Sequence, residues 1–262
     1  MTETPEAKVN HPVGEVDLAL CRATLFGALA LGFRPPTQET ITRLIGEANA
    51  AALAEAACLL DAETHSQLAA AVEDLTSVRE ATVAGLSASY RRLFGHTSRG
   101  SVPPYQTEYG AEAIFQQPQE LGDLMGFYRA FGLTLNPAEH ERPDHVSCEC
   151  EFLSFLALKE AYALEHQDGA MLEETRKAQR HFLHDHLGRF IPAFIKRLAA
   201  EAKGSFYGLL GVLCERLVAR ECQRLGAPVG PQDLTLRPTA DGGVPMACGS
   251  DAGCPMVPGA RE

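Results

Sequence analysis

The chain contains no tryptophan, and only 7% of its 262 residues are aromatic. It is also short of positive charge: 23 Lys and Arg face 34 Asp and Glu, a formal net charge of −11. General binding to nucleic acid or to anionic membranes needs basic patches, so both are disfavoured, and partners carrying positive charge are favoured instead. Long hydrophobic runs are missing. Near the N-terminus the longest is Ala23 to Phe33, eleven residues preceded by Arg22 and too short to cross a bilayer. The start, Met1 to Lys8, is polar and acidic, unlike a secretory signal. Arg91-Arg92 lies inside a helical pattern without the apolar stretch and cleavage site of an export signal. No Walker loop, dinucleotide fingerprint or nucleophile motif occurs, which leaves no standard nucleotide or acyl-transfer chemistry to assign. Alternating strand patterns and internal repeats are absent too. The eight cysteines lack the spacing of a disulfide framework, and six (Cys21, Cys58, Cys148, Cys150, Cys214, Cys222) sit in helical patterns. These features suit a reducing compartment and a cytoplasmic protein.

What is present is helical periodicity. Val16, Leu20, Ala23, Phe26, Ala30 and Phe33 share one face, and Gly32, Pro35 and Pro36 stop that helix. Thr37 caps a second helix that runs to about Leu60, and a third passes through Leu68, Val72 and Leu75. A fourth extends from about Ser77 to Phe94 and ends at Gly95. After a loop come helices over about 119–131, from Pro143 to about Gln167, and from Met171 to about Leu187. Gly188 or Pro192 marks a further break, and Phe206 to Leu225 forms the last helix. The expected architecture is all-α: a single helical domain of about nine or ten helices over residues 13–225. Residues 1–12 read as disordered, and 226–262 as a flexible Pro/Gly-rich tail with two cysteines.

One stretch is denser in ionisable groups than its surroundings: Glu139-His140-Glu141-Arg142-Pro143-Asp144-His145, followed by Glu149 and Glu151. With Pro143 in the first turn of a helix, Asp144 lies at the positive end of the helix dipole. His145, Glu149 and Phe152 then share one face, and Asp144, Cys148 and Glu151 another. The arrangement reads either as a solvated helix start or as a site where Asp144 and Glu149 attract a basic segment. In the second reading His145 adds charge in mild acid. Two further groupings carry metal-ligating types. His181, His184 and His186 cluster near a helix end, where a solvated charged turn is the plainer reading. Cys248 and Cys254 lie in the Gly-rich tail, and two ligands do not complete a tetrahedral site.

Three segments together resemble one family. Tyr90-Arg-Arg-Leu93-Phe94, then Pro104-Tyr105-Gln106-Thr107-Glu108-Tyr109, then Glu141-x-x-Asp144-His145-x-x-x-Glu149-x-Glu151-Phe152 are similar to the signature of the TorD/DmsD/NarJ chaperones of molybdenum enzymes. His186-Leu187-Gly188-Arg189-Phe190-Ile191-Pro192-Ala193-Phe194 resembles a later family segment, with Phe190 where Trp is frequent. The resemblance spans about Val16 to Leu225 and is most similar to chaperones of type II enzymes of the DMSO reductase family. Gln106-Thr107 replaces the commoner Glu-Ser, and Cys150 stands where Leu is usual.

The resemblance implies an all-helical protein with no catalysis and no cofactor. Its implied partner is the apo catalytic subunit of a molybdenum enzyme, through its twin-arginine signal peptide or another part. The chaperone would hold the subunit unexported until the cofactor is inserted, as a monomer or homodimer. The client contacts it implies are Tyr90, Leu93, Phe94, Pro104, Tyr105, Tyr109, Glu141, Asp144, His145, Glu149 and Glu151. Two readings stand beside it: a helical-bundle metal-dependent enzyme using Asp144, His145 and Glu149, and a metal or redox sensor using the tail cysteines.

Overall fold

The computed structural model describes residues 14–62, 67–78, 81–95, 99–111, 116–136 and 142–238. Among them the chain is all-α, with ten α-helices, one 3-10 turn and three isolated β-bridges. The helices are α1 (Glu15–Gly32), α2 (Gln38–Leu44), α3 (Glu47–Asp61), α4 (Leu68–Thr76), α5 (Val83–Phe94), α6 (Gln116–Ala130), α7 (Val146–Glu165), α8 (Gly169–Asp185), α9 (Leu187–Ala202) and α10 (Phe206–Leu225); the 3-10 turn covers Gln106–Glu108.

Several boundaries differ from the periodicity. The helix expected from Thr37 to Leu60 is two, because Ile45 and Gly46 close α2 and Gly46 turns extended to start α3. α5 begins six residues later than expected, where the Thr82 side chain accepts the Gly85 N–H. α8 and α9 divide at His186. Pro192 does not break the chain but lies inside α9. A proline there frees the carbonyl four residues earlier, on Gly188. That carbonyl accepts the N–H of Gly230 at 3.0 Å instead. The approach is close enough that a Cβ on Gly230 would lie 2.0 Å from the Arg189 carbonyl oxygen.

This contact shows that the fold continues past Gly226. Gly226 does end α10, in the left-handed region (φ 64°) that glycine adopts without strain. Residues 227–238, read from sequence as the start of a tail, then return across the molecule. Ala227 is buried, Leu236 pairs with Tyr109, and the Arg237 N–H donates to the Glu108 carbonyl at 2.8 Å. The cysteines Cys248 and Cys254, with the rest of 239–262 and residues 1–13, lie outside the described residues.

The core is organised by α1 and α7, which run antiparallel. Ser154 donates to the Ala23 carbonyl, Arg34 meets Glu151, and Arg22 meets Glu160. Leu20, assigned by periodicity to the apolar face, is 43% exposed, so the buried stripe of α1 is rotated away from it. One aromatic cluster joins Phe33, Tyr90, Phe94, Phe194 and Tyr207; a second joins Phe127, Tyr128, Phe152 and Phe182. Between α1, α7, α8 and α10 lies an ionic network. Glu160, fully buried, receives Arg176, Gln179, Arg224 and Arg22 at 2.7–3.2 Å. These partners outweigh the burial cost and hold its carboxyl down at about 2.

Candidate functional site

The segment before α7 is shaped by backbone pairing, not by an early helix start. The Gln106 N–H donates to the Asp144 carbonyl and the Val146 N–H to the Pro104 carbonyl, both at 2.9 Å, so Tyr105 and His145 pair as a bridge. This holds His145 extended (ψ 136°) and makes it the N-cap of α7. Pro143 and Asp144 therefore lie in a turn ahead of the helix, not in its first turn.

Asp144 is fully buried. Its carboxylate accepts the Thr107 N–H and Oγ–H at 3.2 and 2.7 Å, and Arg142 Nε and Nη2 at 3.0 and 2.8 Å. Arg142 also donates to Thr107 Oγ1 at 2.7 Å, and its guanidinium lies 4.4 Å over the Tyr105 ring. Asp144 thus ties two loops together. A charge-assisted set of this kind contributes about 1.5–3 kcal/mol for each bond to a charged group. Arg142 and Thr107 occur in the quoted motifs but are not among the client contacts that the resemblance implies. The only local signal was an Arg two residues from an Asp, and their convergence is tertiary.

His145 is equally buried. Its Nδ1 accepts the Ser147 N–H at 3.1 Å and lies 2.7 Å from Ser147 Oγ. Burial, with help from Arg142 and Arg34, pushes its pKa down to about 3. The expectation that His145 charges in mild acid is corrected by this placement: it is a neutral capping group. Glu149 is also fully buried, and burial raises its pKa well above the ordinary carboxylate value, with Asp144 adding to the rise. Burial thus pushes Glu149 toward its uncharged form, and Asp144 is ion-paired with Arg142.

Glu149 belongs to a second polar group. The neighbours of the Gln106 side chain orient its amide nitrogen toward Glu149 and His186; so oriented, it donates to Glu149 Oε1 at 3.1 Å and to His186 Nδ1 at 3.2 Å, and its oxygen accepts Arg189 Nη2 at 3.1 Å. The amide that replaces the family's usual carboxylate is therefore the hub of the cluster. Arg189 continues to Glu120, which also binds Arg237. His186 is 3% exposed and neutral, since burial pushes its pKa down to about 4. His181 and His184, by contrast, are exposed on α8, so the three histidines do not converge.

The remaining implied contacts divide by exposure. Tyr90, Leu93 and Phe94 lie in the aromatic core; Pro104 and Tyr109 are also buried, with the Tyr109 hydroxyl donating to the Pro103 carbonyl at 2.9 Å. Tyr105 is half-buried and Glu151 is exposed. Glu141 lies outside the described residues. Beside the α7 N-terminus is a groove of about 300 Å³, whose walls include Tyr128, Leu133, Leu135, Cys148, Phe152 and Phe155. Arg34 and Glu151 close one side of it, paired at 2.6 Å. The α7 face carrying Cys148 and Glu151 thus opens to this groove, and the face carrying His145 and Glu149 is interior.

The Pro-Tyr and Asp-His segments of this all-α domain are thus tied together, with Asp144 ion-paired and His145 neutral inside. Comparison with known proteins gives the family. A family model described as the nitrate reductase delta subunit matches residues 51–196, more than half of the chain. The protein belongs to this NarJ/TorD-type family. It is 38% identical over 146 residues to the chlorate reductase assembly chaperone protein of Ideonella dechloratans, covering 54% of this chain and 70% of that one. To the selenate reductase assembly chaperone protein of Thauera selenatis it is 40% identical over 106 residues, covering 40% and 53%. To the chaperone protein TorD of Vibrio cholerae serotype O1 it is 31% identical over 114 residues, covering 43% and 49%. The chain thus spans about half the length of the last two relatives. Among the described residues, no helix is long and apolar enough to cross a membrane.

Proposed function

We propose that this protein is a cytoplasmic, system-specific assembly chaperone that binds the apo catalytic subunit of a molybdenum oxidoreductase until its cofactor is inserted. The names of its relatives support this reading, chaperones for chlorate, selenate and perchlorate reductases among them. The observation that carries it at the site is the groove beside α7, with apolar walls and an ion pair at one edge. An apolar stretch of the client, such as that of a twin-arginine signal peptide, fits such a groove, with basic flanks drawn to an acidic protein. His145 has its Nδ1 committed to the helix cap and Glu149 is enclosed in the core, where burial raises its pKa, an arrangement that favours a structural role over acid–base catalysis. The test is calorimetry of the full chain with the apo-subunits of candidate reductases and with their signal peptides. Phe155→Asp, placed in the groove wall, is expected to weaken binding at least about tenfold, since loss of one buried apolar contact costs about 1.5–3 kcal/mol. Unchanged binding by a folded variant would remove the groove from the reading. Absence of binding to every apo-subunit tested would remove the chaperone function.

A further inference from the structure

A second depression, of about 740 Å³, lies on the other side of α6 from the apolar groove. Tyr128 of α6 faces the first and its neighbour Phe127 the second. One wall of the second is the small-residue stripe Gly122, Gly126 and Ala130, one helical turn apart and exposed. A Cβ added at Gly122 or Gly126 would meet nothing within 4 Å, so another main chain can approach the α6 backbone there. The opposite wall is the α8–α9 corner, His184 to Arg189. The rim is acidic. Asp185 is shared with His184, and Asp123 is exposed with no ion pair among the described residues.

Beneath this rim sits His186. With the Gln106 amide turned so that its nitrogen faces His186, Nδ1 accepts and the neutral ring carries its proton on Nε2, which has no hydrogen-bond partner among the described residues. Arg189 Nε, in the same wall, is a second buried donor without a partner. Two unsatisfied donors in a pocket wall are costly unless an acceptor reaches them. The half-buried Phe127 ring lines the same depression, 5.1 Å from the imidazole and edge-on to it.

We propose that this depression binds an extended, basic segment of the client polypeptide. A main-chain carbonyl accepts from His186 Nε2 and Arg189 Nε, the backbone lies along Gly122 and Gly126, and an Arg or Lys side chain meets Asp123 and Asp185. This rests on the chaperone reading and adds to it a polar contact surface distinct from the apolar groove.

The experiment uses the full chain labelled with ¹⁵N-histidine and a blocked peptide, acetyl-Ala-Arg-Ala-Ala-amide, with acetyl-Ala-Glu-Ala-Ala-amide as control. The arginine peptide is expected to shift the His186 ring signals in a saturable way, and the glutamate peptide to leave them unchanged. Gly126→Leu, which fills the depression on an exposed helix face with room for it, is expected to abolish the shift. Asp123→Asn with Asp185→Asn is expected to weaken binding about tenfold, the loss of one good ionic contact. An unmoved His186 signal, or equal responses from both peptides or from the Gly126→Leu chain, overturns the inference. Capture of an apo-subunit separates the two readings. If wild type and Gly126→Leu capture it equally, the depression is not a client surface although the chaperone function stands. If wild type captures none while the peptide shift occurs as described, the chaperone function fails and the peptide site remains.

Discussion

At the scale of the residue, the Asp144-His145-Glu149 group shows how burial changes the meaning of an ionisable side chain. In the sequence it is denser in ionisable groups than its surroundings; in the structure one member is ion-paired and burial pushes the other two toward their neutral forms. The consequences are opposite in sign. His145, held neutral down to about pH 3 against an ordinary value of 6.5, contributes stability that is lost as pH falls from 6.5 toward 3. His145→Asn keeps an acceptor for the Ser147 N–H and removes the titration. Denaturant melts at a series of pH values between 4 and 6.5 are expected to show a shallower rise of stability with pH, by up to about 1.4 kcal/mol per unit. Glu149, whose pKa is raised, binds a proton in the folded state that the unfolded state releases above about 4.5. Stability from that group therefore falls as pH rises. Glu149→Gln is expected to raise the melting temperature at pH 8 and to have a smaller effect at pH 4; a uniform loss at both would contradict the raised pKa.

Elements are joined here through polar contacts as much as through apolar faces. Glu160 of α7 serves four partners drawn from α1, α8 and α10. Removing one member of a buried ionic set leaves the others uncompensated, so Glu160→Ala is expected to cost about 3–5 kcal/mol in chemical denaturation. Glu160→Gln, which retains an acceptor, is expected to cost less. The helix boundaries belong to this scale as well. Gly95, Asp168-Gly169 and Gly226 end or start helices as their residue types require, and these were legible. The split at Gly46 and the passage of α9 through Pro192 were not, because both depend on what the freed backbone groups find to bond.

For the whole molecule, the return of residues 227–238 matters most. They satisfy the Gly188 carbonyl, cover Tyr109 and bring Arg237 to Glu120, Thr107 and Ala111. Arg237 thereby supports the same 3-10 turn that carries Gln106 and Thr107. Gly230→Ala places a methyl against the Arg189 backbone and is expected to destabilise by about 1–3 kcal/mol, the usual cost of overpacking. A chain ending at Gly226 is expected to melt well below one ending at Pro238. Equal melting temperatures would show that the segment contributes nothing.

The sequence by itself determined the class of structure and the family: helical period, turn residues at helix ends, and three motifs at family spacing. Those are local properties, readable because a helix repeats every few residues. What only the tertiary structure decided is which polar residues are inside and what they hold. Asp144 is satisfied by Thr107, 37 residues away, and the Thr107 carbonyl by Arg237, 130 residues away. Periodicity says which face of a helix is apolar. It does not say which charged group on that face will meet a partner good enough to outweigh leaving water, since that depends on geometry set by distant segments.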